Sequence, residues 1–281
     1  MGIAQGNLAY LFPLEIGSQY GLNYMLGMKI VRFAVDNKVK YGVIRGESVQ
    51  VIEDKPYRYL KLADRYYWLD EVKLLSPCTP SKIVALGLNY HSHAKELNAR
   101  LPDAPLIFLK PSTAVIGHEA NIVYPASSAR VDYEGELGVV IKKPVWRVSV
   151  DDALDYVLGY TCFNDVTARD LQRQDTQWTR AKSFDTFAAV GPCIETELDP
   201  GNVVVETYLN GELKQRGNTS DLIYTVPELI NFISHVMSLL PGDIIATGTP
   251  SGVGPMYPGD TVEVKIEPIG TLRNYVVKNS G

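Results

Sequence analysis

The stretch Val131-Asp132-Tyr133-Glu134-Gly135-Glu136-Leu137-Gly138-Val139-Val140-Ile141 decides how this chain is read. It alternates and then runs apolar, the pattern of a strand entering a core. Residues two apart in a strand face the same way, so Glu134 and Glu136 point together, and Gly135 leaves the opposite face bare. Two carboxylates side by side in a partly buried place repel, and one takes up a proton unless a cation is present. Asp165 ends another predicted strand, in Phe163-Asn164-Asp165. Three carboxylates without a histidine or thiol form a hard-oxygen set suited to Mg²⁺, Mn²⁺ or Ca²⁺. Spacing alone leaves a second reading open: glutamates on a solvated strand face, with Asp165 only capping a helix.

Outward from this stretch the chain is strand-rich. Upstream, KIVRFAV, KYGVIRG and SVQVIED read as short strands over residues 28–53. Ser76-Pro77-Cys78-Thr79-Pro80 reads as a linker, because its two prolines continue neither a helix nor a central strand. The expected organisation is an extension over 1–27, a small N-terminal α/β domain over 28–77 and a catalytic domain over 78–281. KIVALGLNY and APLIFLKP read as strands, with a helix from His91 to Ala99 between them. VTARDLQRQ reads as a helix with Asn164 or Asp165 available as its cap. Asn210-Gly211 predicts a type I′ hairpin turn. Thr225 to Leu240 predicts the best helix, with Leu229, Ile230, Ile233, Met237 and Leu240 on one stripe. The inventory is a mixed α/β or α+β fold around a large sheet or roll.

Composition narrows the function classes. The net charge is −5, and Lys and Arg form no cluster beyond short pairs, which disfavours a dedicated nucleic-acid binder. The three cysteines, Cys78, Cys162 and Cys193, are odd in number and widely spaced. That argues against a disulfide framework and for a reducing cytoplasm. Residues 1–27 hold no Lys or Arg, and Glu15 breaks the apolar run, so they make neither a secretory signal nor a membrane span.

Three further features carry chemistry. His93 and Glu96 are neighbours on one helical face, where a carboxylate beside an imidazole raises its basicity. The segment from this helix through LNARLPDAP resembles a lid. Lys182, among Trp178, Ala181 and Phe184, can serve an anion or enolate if buried. Thr247-Gly248-Thr249-Pro250-Ser251-Gly252-Val253-Gly254 lets backbone N–H groups converge on an anion, yet lacks the ending of a P-loop. Each feature also fits a surface pair, an exposed lysine or a plain wide turn.

Taken together and in order, the pieces resemble the fumarylacetoacetate hydrolase family. The matching blocks are Gly87-Leu88-Asn89-Tyr90 with His93 and Glu96, Phe108-Leu109-Lys110-Pro111, Tyr133-Glu134-Gly135-Glu136-Leu137, and Asn164-Asp165-Val166-Thr167-Ala168-Arg169-Asp170. Ala181-Lys182-Ser183-Phe184-Asp185, Asn210-Gly211-Glu212 and Pro241-Gly242-Asp243 with the glycine loop follow. The resemblance implies a β-roll catalytic domain behind a small variable N-terminal domain, usually in a homodimer. It implies Mg²⁺ or Mn²⁺ on Glu134, Glu136 and Asp165, a His93–Glu96 dyad on a lid, and Lys182 beside the ion. Gln172, Gln215 and Thr249 become substrate contacts. Some relatives carry an arginine clamp just before the Asn-Tyr pair, where this chain has Leu88. The implied substrate is a small 2-oxo acid, and the implied reaction is hydrolysis of an acylpyruvate-type carbon–carbon bond. Isomerisation or decarboxylation of a dienedioate, decarboxylation of oxaloacetate, sugar-acid dehydration and catalytically silent binding of a cation or metabolite are the alternatives.

The leader lacks a periodic core pattern, so deleting residues 1–27 should leave folding and turnover unchanged within error. Thermal melting of the truncated chain checks this; a large drop in Tm would show that the segment packs on the body.

Overall fold

The computed structural model describes residues 27–57 and 60–279. Apart from Gly27, the predicted leader lies outside the described residues. The fold is sheet-dominated α+β, with four α-helices among the described residues: α1 (His91–Glu96), α2 (Arg169–Gln174), α3 (Thr179–Lys182) and α4 (Val226–Val236). None is long and apolar enough to cross a membrane.

A twelve-stranded mixed sheet forms the frame. From Lys29–Val35 to one end, its strands run in the spatial order Lys29–Val35, Ala188–Glu195, Val157–Asp165, Gly135–Ile141, Ile244–Ala246, Lys82–Leu86 and Ile107–Pro111. A five-stranded sheet packs on it, and a small three-stranded sheet holds Val131–Tyr133. Every residue of Gly135–Ile141 is buried. Leu137, Val139 and Ile141 belong to one core and Val140 to another, so the apolar run reflects a strand covered on both faces. The strands of 28–77 do not stand apart, because Lys29–Val35 pairs with Ala188–Glu195. The helical content expected of this segment is a single 3₁₀ turn, Leu69–Glu71; its alternating pattern is spent on hairpins instead.

Expected helices lose turns where strand pairing claims the same residues. A capping box of Thr225 and Glu228 opens α4, and Leu229, Ile230 and Ile233 are buried. The helix stops at Val236, short of the expected Leu240, because Leu239 pairs with Val145 through both backbone groups. Leu240 is 44% exposed and does not share the buried stripe. Similarly, α2 starts only at Arg169, since Thr167–Ala168 pairs with Val131–Asp132. Neither expected cap serves it: Asn164 accepts from the Glu134 N–H at 3.0 Å, and Asp165 binds two lysines. The Asn210-Gly211 turn forms as read, with φ of 53° and 79°.

Gly135 is not backed by empty space as its sequence suggests. A Cβ there would lie 2.0 Å from Thr207 Oγ1 of the strand Val204–Leu209, so glycine lets the second sheet approach. Gly135→Ala should therefore cost about 1–3 kcal/mol through overpacking. Urea unfolding checks this, and an unchanged midpoint would show that Thr207 can move aside.

Candidate metal centre and catalytic site

Asp165 stands at the end of the strand Val157–Asp165, and Glu136 is the second residue of the neighbouring strand Gly135–Ile141. Glu134 lies in the one-residue break where the chain leaves the small sheet for the large one. Its carbonyl accepts from the Asp165 N–H at 2.9 Å, tying the break to the adjacent strand. One ligand atom from each of Glu134, Glu136 and Asp165 falls within 4.8 Å of the others, and all three residues are buried. Strand pairing thus brings together the three carboxylates expected to hold an ion.

Three cations surround them. Lys182, at the end of α3, places Nζ 2.9 Å from Glu134 Oε2 and 2.5 Å from Asp165 Oδ2. Lys110 is fully buried and donates to Asp165 Oδ1 and to the Val166 carbonyl. Arg169, the first residue of α2, donates to Glu134 Oε1 and to Asp132 Oδ2. In the sequence, Lys110 and Arg169 stand out only as parts of the matching blocks. The signal that could have found Lys110 was a lysine inside the strand IFLKP; for Arg169 it was a basic residue opening a helix, against the usual dipole preference.

The electrostatics differ sharply within the trio. Burial alone would raise Glu134, but Lys182 and Arg169 outweigh it and hold its carboxyl at about 2. Burial, with Asp165 and Glu134 beside it, pushes Glu136 well above the usual carboxylate range. Lys182 is raised, because Asp165 and Glu134 overcome its burial. Lys110 is lowered by burial and the Lys182 charge, against the pull of Asp165. Glu136 Oε2 accepts from the Gly248 N–H at 2.9 Å, while its Oε1 is buried without a protein partner. That orphaned oxygen, in an all-carboxylate donor set, fits a hard divalent cation.

The dyad sits on a different segment. His93 Nδ1 lies 2.8 Å from Glu96 Oε2 within α1. Glu96 Oε1 accepts from the Gly252 N–H at 3.1 Å. The glycine loop therefore joins the two groups, with Gly248 on Glu136 and Gly252 on Glu96. Gln215 and Thr249 are engaged around Gly135: Gln215 accepts from the Gly135 N–H and donates to Thr249 Oγ1, which donates to the Gly135 carbonyl. Gln172 accepts from Arg169. All three hold the frame of the carboxylates.

The chain belongs to the fumarylacetoacetate hydrolase family. The family's C-terminal domain, described as "Fumarylacetoacetate (FAA) hydrolase C-terminal", matches residues 82–277, and a domain described as "Rv2993c-like, N-terminal" matches residues 28–77. The chain is 45% identical over 232 residues to the oxaloacetate tautomerase YisK of Bacillus subtilis, covering 77% of each protein. It superposes on the 5-carboxymethyl-2-hydroxymuconate delta-isomerase of Mycobacterium smegmatis with a TM-score of 0.85 at 44% identity, covering 90% of this chain and 100% of that one. The fumarylacetoacetate hydrolase of Exiguobacterium antarcticum gives 0.81 at 36%, covering 90% and 100%.

A proton and a cation compete for Glu136, because its carboxyl is raised. Cation affinity should therefore rise with pH until Glu136 is fully ionised, whereas Glu134, at about 2, stays ionised throughout. Mn²⁺ calorimetry in buffers of different ionisation heat should show proton release, and Glu136→Gln should bind more weakly and release less. PH-independent affinity would remove Glu136 from the ligand set.

Proposed function

We propose that this protein is a divalent-metal-dependent enzyme that moves a proton at the carbon beside the keto group of a small dianionic 2-oxo acid. The observation that carries the reading is the buried trio Glu134, Glu136 and Asp165, with one Glu136 oxygen unpartnered and Lys182 alongside. Glu134, Glu136 and Asp165 would hold Mg²⁺ or Mn²⁺, which when bound supplies Lewis-acid polarisation of the keto oxygen.

Charge counting supports the substrate class. Ion pairs join Asp132, Glu134 and Asp165 to Arg130, Lys110, Arg169 and Lys182, three formal negative charges against four positive ones, and Glu136 supplies the fourth negative charge once it is ionised. The cluster is thus balanced by the chain's own residues. A divalent ion adds two positive charges, the complement of one dicarboxylate. Two relatives, an oxaloacetate tautomerase and a muconate-type isomerase, fall within this chemistry.

In the mechanism, Lys182 holds positive charge where the keto oxygen becomes negative. His93, polarised by Glu96, takes the proton from the adjacent carbon and returns it at a new position. The Gly252 N–H fixes Glu96, and through it the imidazole. The same dyad favours a second reading, acylpyruvate hydrolysis, because a base on a segment apart from the ligands can instead take its proton from water. NMR of oxaloacetate keto–enol exchange, beside cleavage of acetylpyruvate, each with and without Mg²⁺, distinguishes the two. Failure to accelerate either would overturn both.

Within this reading the carboxylates hold substrate and the dyad moves the proton. Glu96→Gln or His93→Ala should lower kcat by about 10²–10⁴-fold and leave oxalate affinity largely intact. Glu136→Gln should weaken Mn²⁺ and oxalate binding together. Should His93→Ala abolish oxalate binding and spare kcat, His93 is a substrate clamp.

A further inference from the structure

A cavity apart from the carboxylate cluster lies where the N-terminal strands meet the catalytic sheet. Strand Lys29–Val35 pairs with Lys73–Leu75, putting Arg32 opposite Leu75. Strand Val115–Ile116 pairs in parallel with the start of Ala188–Glu195. Between these elements opens a cavity of about 350 Å³. Its polar lining is Arg32, Lys73, Ser76, Thr79, Ser112 and His118, and no carboxylate lines it. It shares no lining residue with the metal centre.

The cations of this cavity are uncommitted. Arg32 is half-buried, and the acceptor its guanidinium meets is the Ser76 carbonyl at 3.5 Å, with no ion pair among the described residues. A guanidinium carries five donors in a planar fork shaped for an oxyanion, so most of its capacity is unused. Lys73 is exposed and likewise lacks an ion pair among the described residues. The nearest acid in sequence, Glu119, is drawn to Arg273, Tyr275 and the far nitrogen of His118. His118 Nδ1 accepts from the Arg273 N–H, and burial lowers the imidazole's pKa, which leaves Arg32 and Lys73 as the cavity's charges. The wall is tightly built: a Cβ on Gly117 would lie 2.4 Å from the Ser76 nitrogen. In a chain of net charge −5, an acid-free cavity with two unpaired cations is a local reversal of sign.

We propose that this cavity binds a small molecule bearing a phosphate or carboxylate group, with the anion forked by Arg32 and neutralised by Lys73. Calorimetric titration of the full chain with inorganic phosphate, and separately with succinate, tests this and tells the two anions apart. At least one should bind saturably near one per chain. Arg32→Gln should weaken that binding roughly ten- to a hundredfold, the loss expected for a charged hydrogen-bonded contact. Arg32→Lys, which keeps charge without the fork, should fall between. Glu136→Gln should leave it unchanged, separating this cavity from the metal centre. If Arg32→Gln does not fold, the exposed Lys73→Gln carries the same test. No saturable binding by either anion, or wild-type affinity in the Arg32 and Lys73 variants, overturns the proposal. So does a wild-type chain that binds neither anion but changes apparent mass on Arg32→Gln, since a partner's acidic side chain would then fill the cavity.

Discussion

Three carboxylates inside a protein core cannot remain charged by themselves. Transfer from water costs several kcal/mol per ion even after relaxation, and each raises the cost of the next. Much of the structure around the metal centre answers this constraint. Lys110 comes from the strand Ile107–Pro111, Arg169 from the start of α2 and Lys182 from the end of α3, and all three point into one cluster. The two short helices are positioned by this need: Arg169 bridges Asp132 and Glu134, and Lys182 bridges Glu134 and Asp165. Such a network is poor evidence for stability, because well-packed apolar residues would serve the core better. Its cost is explained by what it can hold, an arrangement of oxygen atoms set for a cation.

The sequence carried the fold class because strand periodicity and glycine turns are local signals. Alternation marked the hairpins of the N-terminal segment, and Asn210-Gly211 marked its turn through the positive φ that both residues adopt. What escaped was non-local. Nothing near Met237 announces that Leu239 will pair with Val145 and end α4. Nothing near Gly135 announces that Thr207 will arrive from another sheet. The helix expected from Val166 lost its first turn to pairing with a strand more than thirty residues earlier.

The candidate site was legible to the same degree and for the same reason. Glu134 and Glu136 were found by their spacing and Asp165 by its place at a strand end, although Glu134 proves to lie in a break between two sheets. Family wording, more than spacing, joined them to His93, Glu96 and Lys182. Lys110 and Arg169 were legible only as letters within matching blocks. A buried lysine has no sequence signature apart from its apolar neighbours, and those neighbours equally suit a lysine that reaches solvent along its stem.

The loop over residues 247–253 makes one site of two. Its Gly248 N–H holds the carboxylate that bears the unpartnered oxygen, and its Gly252 N–H holds the carboxylate that orients the imidazole. Both glycines adopt positive φ, which L side chains rarely do, and a Cβ on either would strike Asn89 or the Lys214 carbonyl. Asn89 in turn donates to the Thr247 and Tyr224 carbonyls, and Tyr90 directly precedes α1. The spacing between the His93–Glu96 pair and the carboxylates is thus held through two backbone N–H groups of one loop. That division suits chemistry in which one group of residues fixes a 2-oxo acid and another, a short span away, exchanges its proton.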